Sequence, residues 1–284
     1  MVSGGRLIDL GDVALFVREL GVRSDLPSVV VMHGGPDVGH RYLVPGVEPL
    51  ARDHHVVLFD FRGCGRSSRN LPDDDLQPEL VVQDTSHLID HLGLGEVDLV
   101  GFSTGGRAAV QLVDRYPQQV RRLVLASTSA YSPAANAPYL ASWREYHRRL
   151  AIEEAAGGAL RNSTIFVWNL ELAPTYLDLI RDLDEGDWRY ERVVEGTLHP
   201  WCPGDPEQIL RDSAAPLLIL HGDKDMGFPV QLAHRLHRAV PGCRLEIIED
   251  AAHLCHLEQP QQWAGAIHRF LTDPYPVLSD VRQP

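Results

Sequence analysis

The segment LVGFSTGGRAAV, from Leu99 to Val110, places one serine among glycines directly after an apolar run. Gly101 and Gly105 lie two residues before and after Ser103, which gives the pattern G-x-S-x-G. The apolar run predicts a buried strand, and the residues that follow predict a helix. The pattern predicts a turn too tight for side chains at the flanking positions, with a strained serine whose hydroxyl is held clear of the sheet. Such strain is retained where the geometry serves a function.

Composition and charge exclude several classes of protein. The 284 residues are 44% hydrophobic and 23% charged, and the formal net charge is −13. That charge argues against nucleic acids and anionic membrane surfaces as partners. No stretch is apolar over the roughly 18 residues that a membrane helix needs, and the first residues do not resemble a secretion signal. We therefore expect a cytoplasmic protein without a membrane partner, and its sequence is compatible with a homo-oligomer.

The cysteines give no sign of a metal site. Cys64, Cys202, Cys243 and Cys255 are widely spaced and form no C-x-x-C pair. This spacing argues against a structural zinc site and against a disulfide framework. We expect reduced thiols and no bound metal ion.

Apolar runs that alternate with helical segments define the fold class. Four runs predict strands buried on both faces, at 28–35, 54–63, 96–103 and 121–128. Segments 78–94 and 105–117 between them have the character of helices. This order predicts an α/β fold with a doubly wound, mostly parallel sheet and helices on both faces. The earlier segment LFVREL (15–20) is interpreted as an antiparallel edge strand.

The alternation of strand and helix stops after residue 128. Residues 129–214 contain helical stretches and turns rich in proline and glycine, but no convincing buried strand. From residue 215 the alternation resumes. We therefore predict a first part of the core (1–128), a helical cap inserted after the sixth strand (129–214) and a second part of the core (215–284). An insertion of about eighty residues is too long for an ordinary loop.

Candidate partners for Ser103 follow the last two predicted strands. A serine hydroxyl becomes a nucleophile when a base takes its proton and a third group orients the base. In doubly wound sheets such groups lie beyond the C-terminal ends of strands. One of these strands ends in Asp223 and Asp225, and the next is followed by His253 and His256. The chain order serine, aspartate, histidine is typical of one hydrolase architecture.

Four motifs give the chain a resemblance to the α/β hydrolases, over residues 10–272 apart from the insertion. They are HGGP (33–36), DFRGCGRS (60–67), GFSTGG (101–106), and HGDKDMGFP (221–229) paired with AAHLCHLEQP (251–260). The resemblance implies that Ser103 is the nucleophile, Asp225 the acid and His253 the base, with Asp223 and His256 as the alternatives. It also implies that DFRGCGRS braces the turn below the site.

The resemblance further implies an oxyanion hole made of two backbone N–H groups. Thr104, the residue after the nucleophile, supplies one at the start of a helix, whose dipole favours negative charge. Gly35 in HGGP supplies the other. Because all of these groups belong to the protein, we expect no cofactor.

The motifs HGGP and D-x-R-G-x-G-x-S resemble the prolyl aminopeptidase-like branch of the family. In that branch acidic side chains of the cap pair with the ammonium group of a substrate that has a free N-terminus. Residues 151–212 hold thirteen acidic residues and five arginines. An acidic, aromatic cap suits a cationic, apolar substrate. We selected four candidate substrate-binding residues, Trp168, Glu171, Glu191 and Glu195, although such charged residues are also typical of solvated helix faces.

Other functions stay open at the level of sequence. Thr104 and Asp37 stand where the prolyl aminopeptidase-like branch usually has tryptophan and glycine. A carboxylesterase or lactonase, and a biosynthetic acyltransferase or cyclase, would use the same three residues, whereas a non-catalytic ligand-binding protein would not need them. The sequence therefore predicts a serine hydrolase that cleaves an ester or amide bond of a small molecule or short peptide through an acyl-enzyme, with an aminopeptidase as one form.

Overall fold

The computed structural model describes residues 4–35, 38–131, 144–145, 147–149, 151, 166–180, 201 and 204–274. Within them lies an eight-stranded sheet with the order β1-β2-β4-β3-β5-β6-β7-β8. Its strands are β1 (Gly5–Asp9), β2 (Ala14–Leu20), β3 (Val29–Met32), β4 (Val56–Phe59), β5 (Val97–Phe102), β6 (Val120–Ala126), β7 (Leu217–Gly222) and β8 (Arg244–Ile248).

Most of the sheet is parallel. β1 pairs antiparallel with β2, and β2 pairs antiparallel with β4, whereas every other neighbouring pair is parallel. The predicted α/β class is therefore confirmed. The segment LFVREL (β2) is antiparallel as predicted, but its placement at the edge is wrong, because β1 covers its outer side. β1 buries only Ile8, so it has no apolar run by which sequence patterning detects a strand.

The helices cover both faces of the sheet. They are α1 (Val44–Val47), α2 (Pro78–His91), α3 (Thr104–Arg115), α4 (Ala173–Ile180), α5 (Pro206–Asp212), α6 (Val230–Ala239), α7 (Cys255–Glu258) and α8 (Pro260–Thr272). α2, α5 and α8 begin with proline, whose missing N–H has no helical partner at that position anyway. Among the described helices, none has the length and apolar character that a membrane crossing requires.

Apolar side chains fill the space on both sides of the sheet. In β3, Val30 and Met32 face one cluster, which α2 and α3 cover. Val29 and Val31 face the opposite cluster, which α8 covers. Burial on both faces explains why the parallel strands form continuous apolar runs in the sequence.

The segment predicted as an insertion lies between β6 and β7. Its described residues include α4 and α5 and contain no strand. Leu210 of α5 packs into the cluster beneath α3, and Trp201 stacks on Phe61 with ring centroids 5.8 Å apart. These described parts are therefore packed against the sheet domain. The division of the chain at residues 128 and 214 stays a prediction.

Buried polar groups brace the turn after β4. Asp60 accepts hydrogen bonds from the backbone N–H of His40 (2.7 Å) and of Arg66 (2.9 Å). Burial alone would raise the pKa of Asp60, but these bonds and the neighbouring histidines lower it to about 2. Arg62 donates two hydrogen bonds of 2.7 Å to the carboxylate of Asp84 in α2. Hydrogen bonds therefore hold the turn after β4 both to the backbone at His40 and to α2.

The turn from β5 to α3 leaves no room for side chains beside Ser103. A Cβ atom at Gly105 would lie 2.3 Å from the carbonyl oxygen of His33 and 2.4 Å from that of Met32. A Cβ atom at Gly101 would lie 2.6 Å from the backbone of α3. Real Cβ atoms do not approach other atoms so closely, so the two glycines allow the helix, the turn and β3 to meet.

We predict that Gly105→Ala destabilises the fold, because the new methyl group would push α3 away from the end of β3. Overpacking of this kind costs about 1–3 kcal/mol. Gly204→Ala is the matched control, since a Cβ atom there meets no heavy atom within 4 Å. Urea unfolding of both variants measures the difference, and equal free energies of unfolding would contradict the close-packing argument.

Candidate active site

Ser103 occupies a strained position between β5 and α3. Its backbone has φ 53° and ψ −123°, a conformation that is unfavourable for residues with a side chain. The surroundings impose it. The N–H of Ser103 donates to the carbonyl of Ala126 (3.0 Å), and the carbonyl of Ser103 accepts from the hydroxyl of Thr128 (2.5 Å). The strained serine that G-x-S-x-G predicts is therefore present.

Ser103, His253 and Asp225 form a continuous hydrogen-bonded chain. Oγ of Ser103 lies 3.0 Å from Nε2 of His253, and Nδ1 of His253 lies 2.9 Å from Oδ2 of Asp225. All three residues are buried. When the Nδ1 proton is donated to Asp225, Nε2 can accept the hydrogen bond of the serine hydroxyl. The fold thus brings together three residues from separate parts of the chain.

Aromatic rings surround the imidazole of His253. Its ring centroid lies 5.2 Å from that of Phe102, 5.4 Å from that of Phe228 and 5.8 Å from that of Phe166. Rings at these distances displace water from the imidazole. In such a low-dielectric setting the hydrogen bonds of His253 become stronger than they are in water.

The second oxygen of Asp225 is held by its own loop. Oδ1 accepts the N–H of Phe228 at 2.7 Å, which orients Oδ2 towards His253. His221 lies beside the same carboxylate, with Nε2 3.4 Å from Oδ2. Burial lowers the pKa of His221, and its Nε2 is hydrogen-bonded to the carbonyl of Phe228 at 2.6 Å. His221 therefore supports the loop as a neutral side chain.

The two alternative residues occupy different settings. Asp223 forms an ion pair with Lys224 at a partly exposed position. His256 is fully buried, and its Nε2 lies 3.1 Å from the carbonyl oxygen of Tyr42. Burial lowers the pKa of His256 to about 3. Within the described part of the chain, neither residue joins the Ser103 hydrogen-bonded chain.

The predicted oxyanion donors belong to Thr104, which follows Ser103, and to Gly35 in the loop after β3. A Cβ atom at Gly34 would be 2.4 Å from Cβ of Ser103, so the loop after β3 passes directly beside the serine. The N–H of Gly34 donates to the hydroxyl of Tyr42 at 2.8 Å. Among the described residues, the N–H groups of Gly35 and Thr104 have no acceptor. Both groups can therefore donate to a further atom.

Two of the predicted substrate-binding residues, Glu191 and Glu195, lie outside the described residues, as does Asp37. Glu171 is described and is exposed, at the short turn Leu170–Leu172. Its N–H donates to the side chain of Asn169 at 3.0 Å. The carboxylate of Glu171 is thus presented to solvent.

Trp168 contacts two cations of the chain itself. Cζ of Arg149 lies 4.6 Å from a ring centroid of Trp168, and Nζ of Lys224 lies 5.6 Å from it. Arg149 also donates to the carbonyl of Trp168 at 2.7 Å. An indole ring attracts cations through its π face. In this structure the cations at the Trp168 ring are side chains of the protein itself.

Glu258 connects the segment around Trp168 to the loop that carries His253. Its Oε1 accepts the N–H groups of Trp168 (2.6 Å) and Asn169 (2.7 Å), and its Oε2 accepts the N–H of Ala252 (2.6 Å). Burial raises the pKa of this carboxyl group, although the three hydrogen bonds oppose the shift. Sequence reasoning missed this role. The sequence offered one signal for it, because Glu258 lies five residues after His253, the candidate base.

Comparison with known proteins gives the family. Residues 27–260 match the family described as alpha/beta hydrolase fold. The chain belongs to this family.

Several relatives and solved structures resemble this α/β hydrolase. It is 27% identical to a proline iminopeptidase of Lactobacillus acidophilus over 292 aligned positions, which cover 89% of this chain and 93% of the relative. The crystal structure of a proline iminopeptidase from Mycobacterium smegmatis has a TM-score of 0.73 at 20% identity and covers 94% of this chain and 97% of its own. An esterase from Exiguobacterium antarcticum has a TM-score of 0.71 at 21% identity, with coverage of 95% and 100%. Both solved structures share the fold of this chain.

We predict that this α/β hydrolase loses stability as the pH falls from 6.5 towards 4, because His33 and His256 are buried as neutral side chains. Burial lowers their pKa from 6.5 to about 4 and about 3. Below pH 6.5 the unfolded chain therefore binds protons that the folded chain does not, which favours unfolding. Each histidine contributes about 1.4 kcal/mol per pH unit in this window.

Urea unfolding at several pH values between 7.5 and 4.5 measures this slope. His256→Asn should reduce the slope by about 1.4 kcal/mol per pH unit, the contribution of one proton. His234→Asn, at an exposed position, should leave the slope unchanged. An identical slope in His256→Asn and the wild type would contradict the prediction.

Proposed function

We propose that this protein is a serine hydrolase that cleaves an ester or amide bond of a small molecule or short peptide through an acyl-enzyme. The observation that carries the proposal is the hydrogen-bonded chain from Ser103 through His253 to Asp225. It joins a nucleophile, a base and an orienting carboxylate at distances that allow proton transfer. Membership of the α/β-hydrolase family agrees with this chemistry.

In the proposed reaction, Nε2 of His253 takes the hydroxyl proton while Oγ of Ser103 attacks the substrate carbonyl carbon. Asp225 stabilises the resulting imidazolium through Nδ1. The N–H groups of Gly35 and Thr104 donate to the oxyanion of the tetrahedral intermediate. His253 then gives the proton to the leaving group. In the second half of the reaction His253 takes a proton from water, the water oxygen attacks the acyl carbon, and His253 returns the proton to Oγ of Ser103 as the acid leaves.

We also propose that residues 129–214 form a cap over this site. The support comes from the described segment 166–180. The ring of Phe166 lies 5.8 Å from that of His253, and the carbonyl of Phe166 accepts the N–H of Leu254 at 2.8 Å. A segment anchored next to the base can limit the access of water and substrate.

We predict that an organophosphonate labels Ser103, and that Ser103→Ala abolishes labelling without unfolding the protein. Ser103→Ala and His253→Ala should each lower kcat/KM by about 10⁴-fold or more, because the nucleophile and base act as a unit. Ser127→Ala is the matched control, since Ser127 is also a buried serine with positive φ (43°). Mass spectrometry of the labelled peptide gives the site, and a label on any other serine would overturn the assignment.

Two substrate classes are the candidates for the finer function. An aminopeptidase of the proline iminopeptidase type is supported by the HGGP and D-x-R-G-x-G-x-S motifs and by the relative that is 27% identical. A carboxylesterase or lactonase is favoured by the contacts of Trp168, because Arg149 and Lys224 at its ring would repel a substrate ammonium group. The two classes differ in their need for a free amine.

For the aminopeptidase, we predict that removing a carboxylate that binds the ammonium group weakens the preference for prolyl amides over acetyl-prolyl amides. A charged hydrogen bond is worth about 1.5–3 kcal/mol, so the ratio of the two kcat/KM values should fall about tenfold to a hundredfold. The variants are Glu171→Gln, Glu191→Gln and Glu195→Gln.

Glu96→Gln is the control for this ratio, because Glu96 is exposed and precedes β5 at the end opposite to Ser103. If all three test variants keep the wild-type ratio, the carboxylates are solvated and the esterase or lactonase becomes the preferred function. Assays with nitrophenyl esters and lactones in parallel measure that activity directly.

A further inference from the structure

A cavity lies outside the candidate active site, between β2, α1 and the turn after β4. Its volume is about 620 Å³, which is within the range of sites for small organic ligands. We call it the arginine cavity, and its main lining residues are Phe16, Arg18, Arg41, Val44, Arg66 and Leu179. Ser103, His253 and Asp225 are not among the residues that line it.

Arg18 in the wall of this cavity is a buried cation without a complete set of partners. It is only 8% exposed, and its Nη2 is buried without a hydrogen-bond acceptor among the described residues. Burial lowers the pKa of Arg18, although the charge of Glu48 opposes this shift. A guanidinium removed from water without an acceptor costs free energy. Arg18 also lines the cavity, so an anion bound there would offset its charge.

Among the described residues that line the cavity, arginines outnumber carboxylates. Arg41 and Arg66 line it together with Arg18, and its acidic lining residues are Glu48 and Asp60. The carboxylate of Asp60 already accepts two backbone N–H groups and the ring of a histidine. Glu48 is exposed. In the described lining, three arginines therefore lie beside two carboxylates, one of which is engaged within the fold.

Part of the remaining lining is apolar. Phe16, Val44, Pro45 and Leu179 provide it, and the guanidinium of Arg66 lies over the ring of Phe16 with Cζ 5.0 Å from the centroid. An apolar wall beside one unsatisfied guanidinium fits a ligand with a single charge and an apolar body. A carboxylate matches a guanidinium through paired N–H···O bonds.

We propose that the arginine cavity binds an apolar monocarboxylate, whose carboxylate pairs with Arg18 and whose hydrocarbon part lies against Phe16, Val44 and Leu179. The site is separate from the Ser103 hydrogen-bonded chain. It does not depend on the reaction proposed for Ser103.

Isothermal titration of the full chain with octanoate tests this proposal, with octanamide and inorganic phosphate as comparison ligands. We expect octanoate to bind at least about tenfold more tightly than octanamide, because only octanoate can form the charged pair. Phosphate should bind more weakly than octanoate, since it leaves the apolar wall unfilled. Equal affinity for octanoate and octanamide, or tighter binding of phosphate, would overturn the proposal.

Arg18→Met is the decisive variant, because methionine keeps much of the side-chain length and removes the charge. It should weaken octanoate binding about tenfold or more, and it should not lower the Tm of the unliganded protein, since it removes an unsatisfied buried charge. Arg66→Gln at an exposed position should weaken binding less. Arg238→Met, on α6 and outside the cavity, is the matched control.

Octanoate bound at the candidate active site would leave the affinities of Arg18→Met and Arg66→Gln unchanged, and that outcome refutes the proposal. If Arg18→Met does not fold, Arg66→Gln still tests the proposal. An unchanged octanoate affinity in Arg66→Gln is incompatible with an anion held among the arginines.

Discussion

The approach of α3 to the end of β3 is the contact on which the candidate site depends. Gly105 brings the helix against the carbonyl groups of Met32 and His33, where any side chain would collide. That contact places the loop after β3 beside Ser103, with Gly34 close to the serine Cβ. His33 extends the connection, because its Nδ1–H donates to the carbonyl of Gly34 (2.9 Å) and its Nε2 accepts an N–H from the turn after β4 (3.0 Å). The position of the serine and that of the candidate oxyanion donors are therefore fixed by the same packing.

His221, His253 and His256 are all buried, and their hydrogen bonds distinguish them better than their burial does. Nε2 of His256 is bonded to the carbonyl of Tyr42, and Nε2 of His221 to that of Phe228. A nitrogen that donates to a carbonyl carries its proton and does not act as a base. Of these three histidines, only His253 has a carboxylate at Nδ1 and a hydroxyl at Nε2. The carboxylate fixes the proton on Nδ1, which leaves the lone pair of Nε2 directed at the hydroxyl.

The sequence predicted correctly those features whose geometry is determined by a few neighbouring residues. The apolar runs predicted the parallel strands because each is buried on both faces, and the glycines around Ser103 predicted its turn because only glycine fits there. It failed where the evidence lies in contacts between distant residues. β1 was missed because it buries one side chain. The role of Glu258 depends on N–H groups some ninety residues away, and Arg18 looks in the sequence like any charged residue of a strand.

The segment 166–180 connects the candidate active site to the arginine cavity. At its start, Phe166 packs on His253, and the next residues are held to the base loop by Glu258. At its other end, Leu179 of α4 lines the arginine cavity. One short segment therefore contacts the candidate base and also lines the arginine cavity. Since Glu258 accepts N–H groups from this segment and from Ala252, which precedes the base, a displacement of the segment has to stretch hydrogen bonds that also position His253. The segment 166–180 and the loop of the candidate base are thus connected by the carboxylate of Glu258 as well as by the Phe166–Leu254 hydrogen bond.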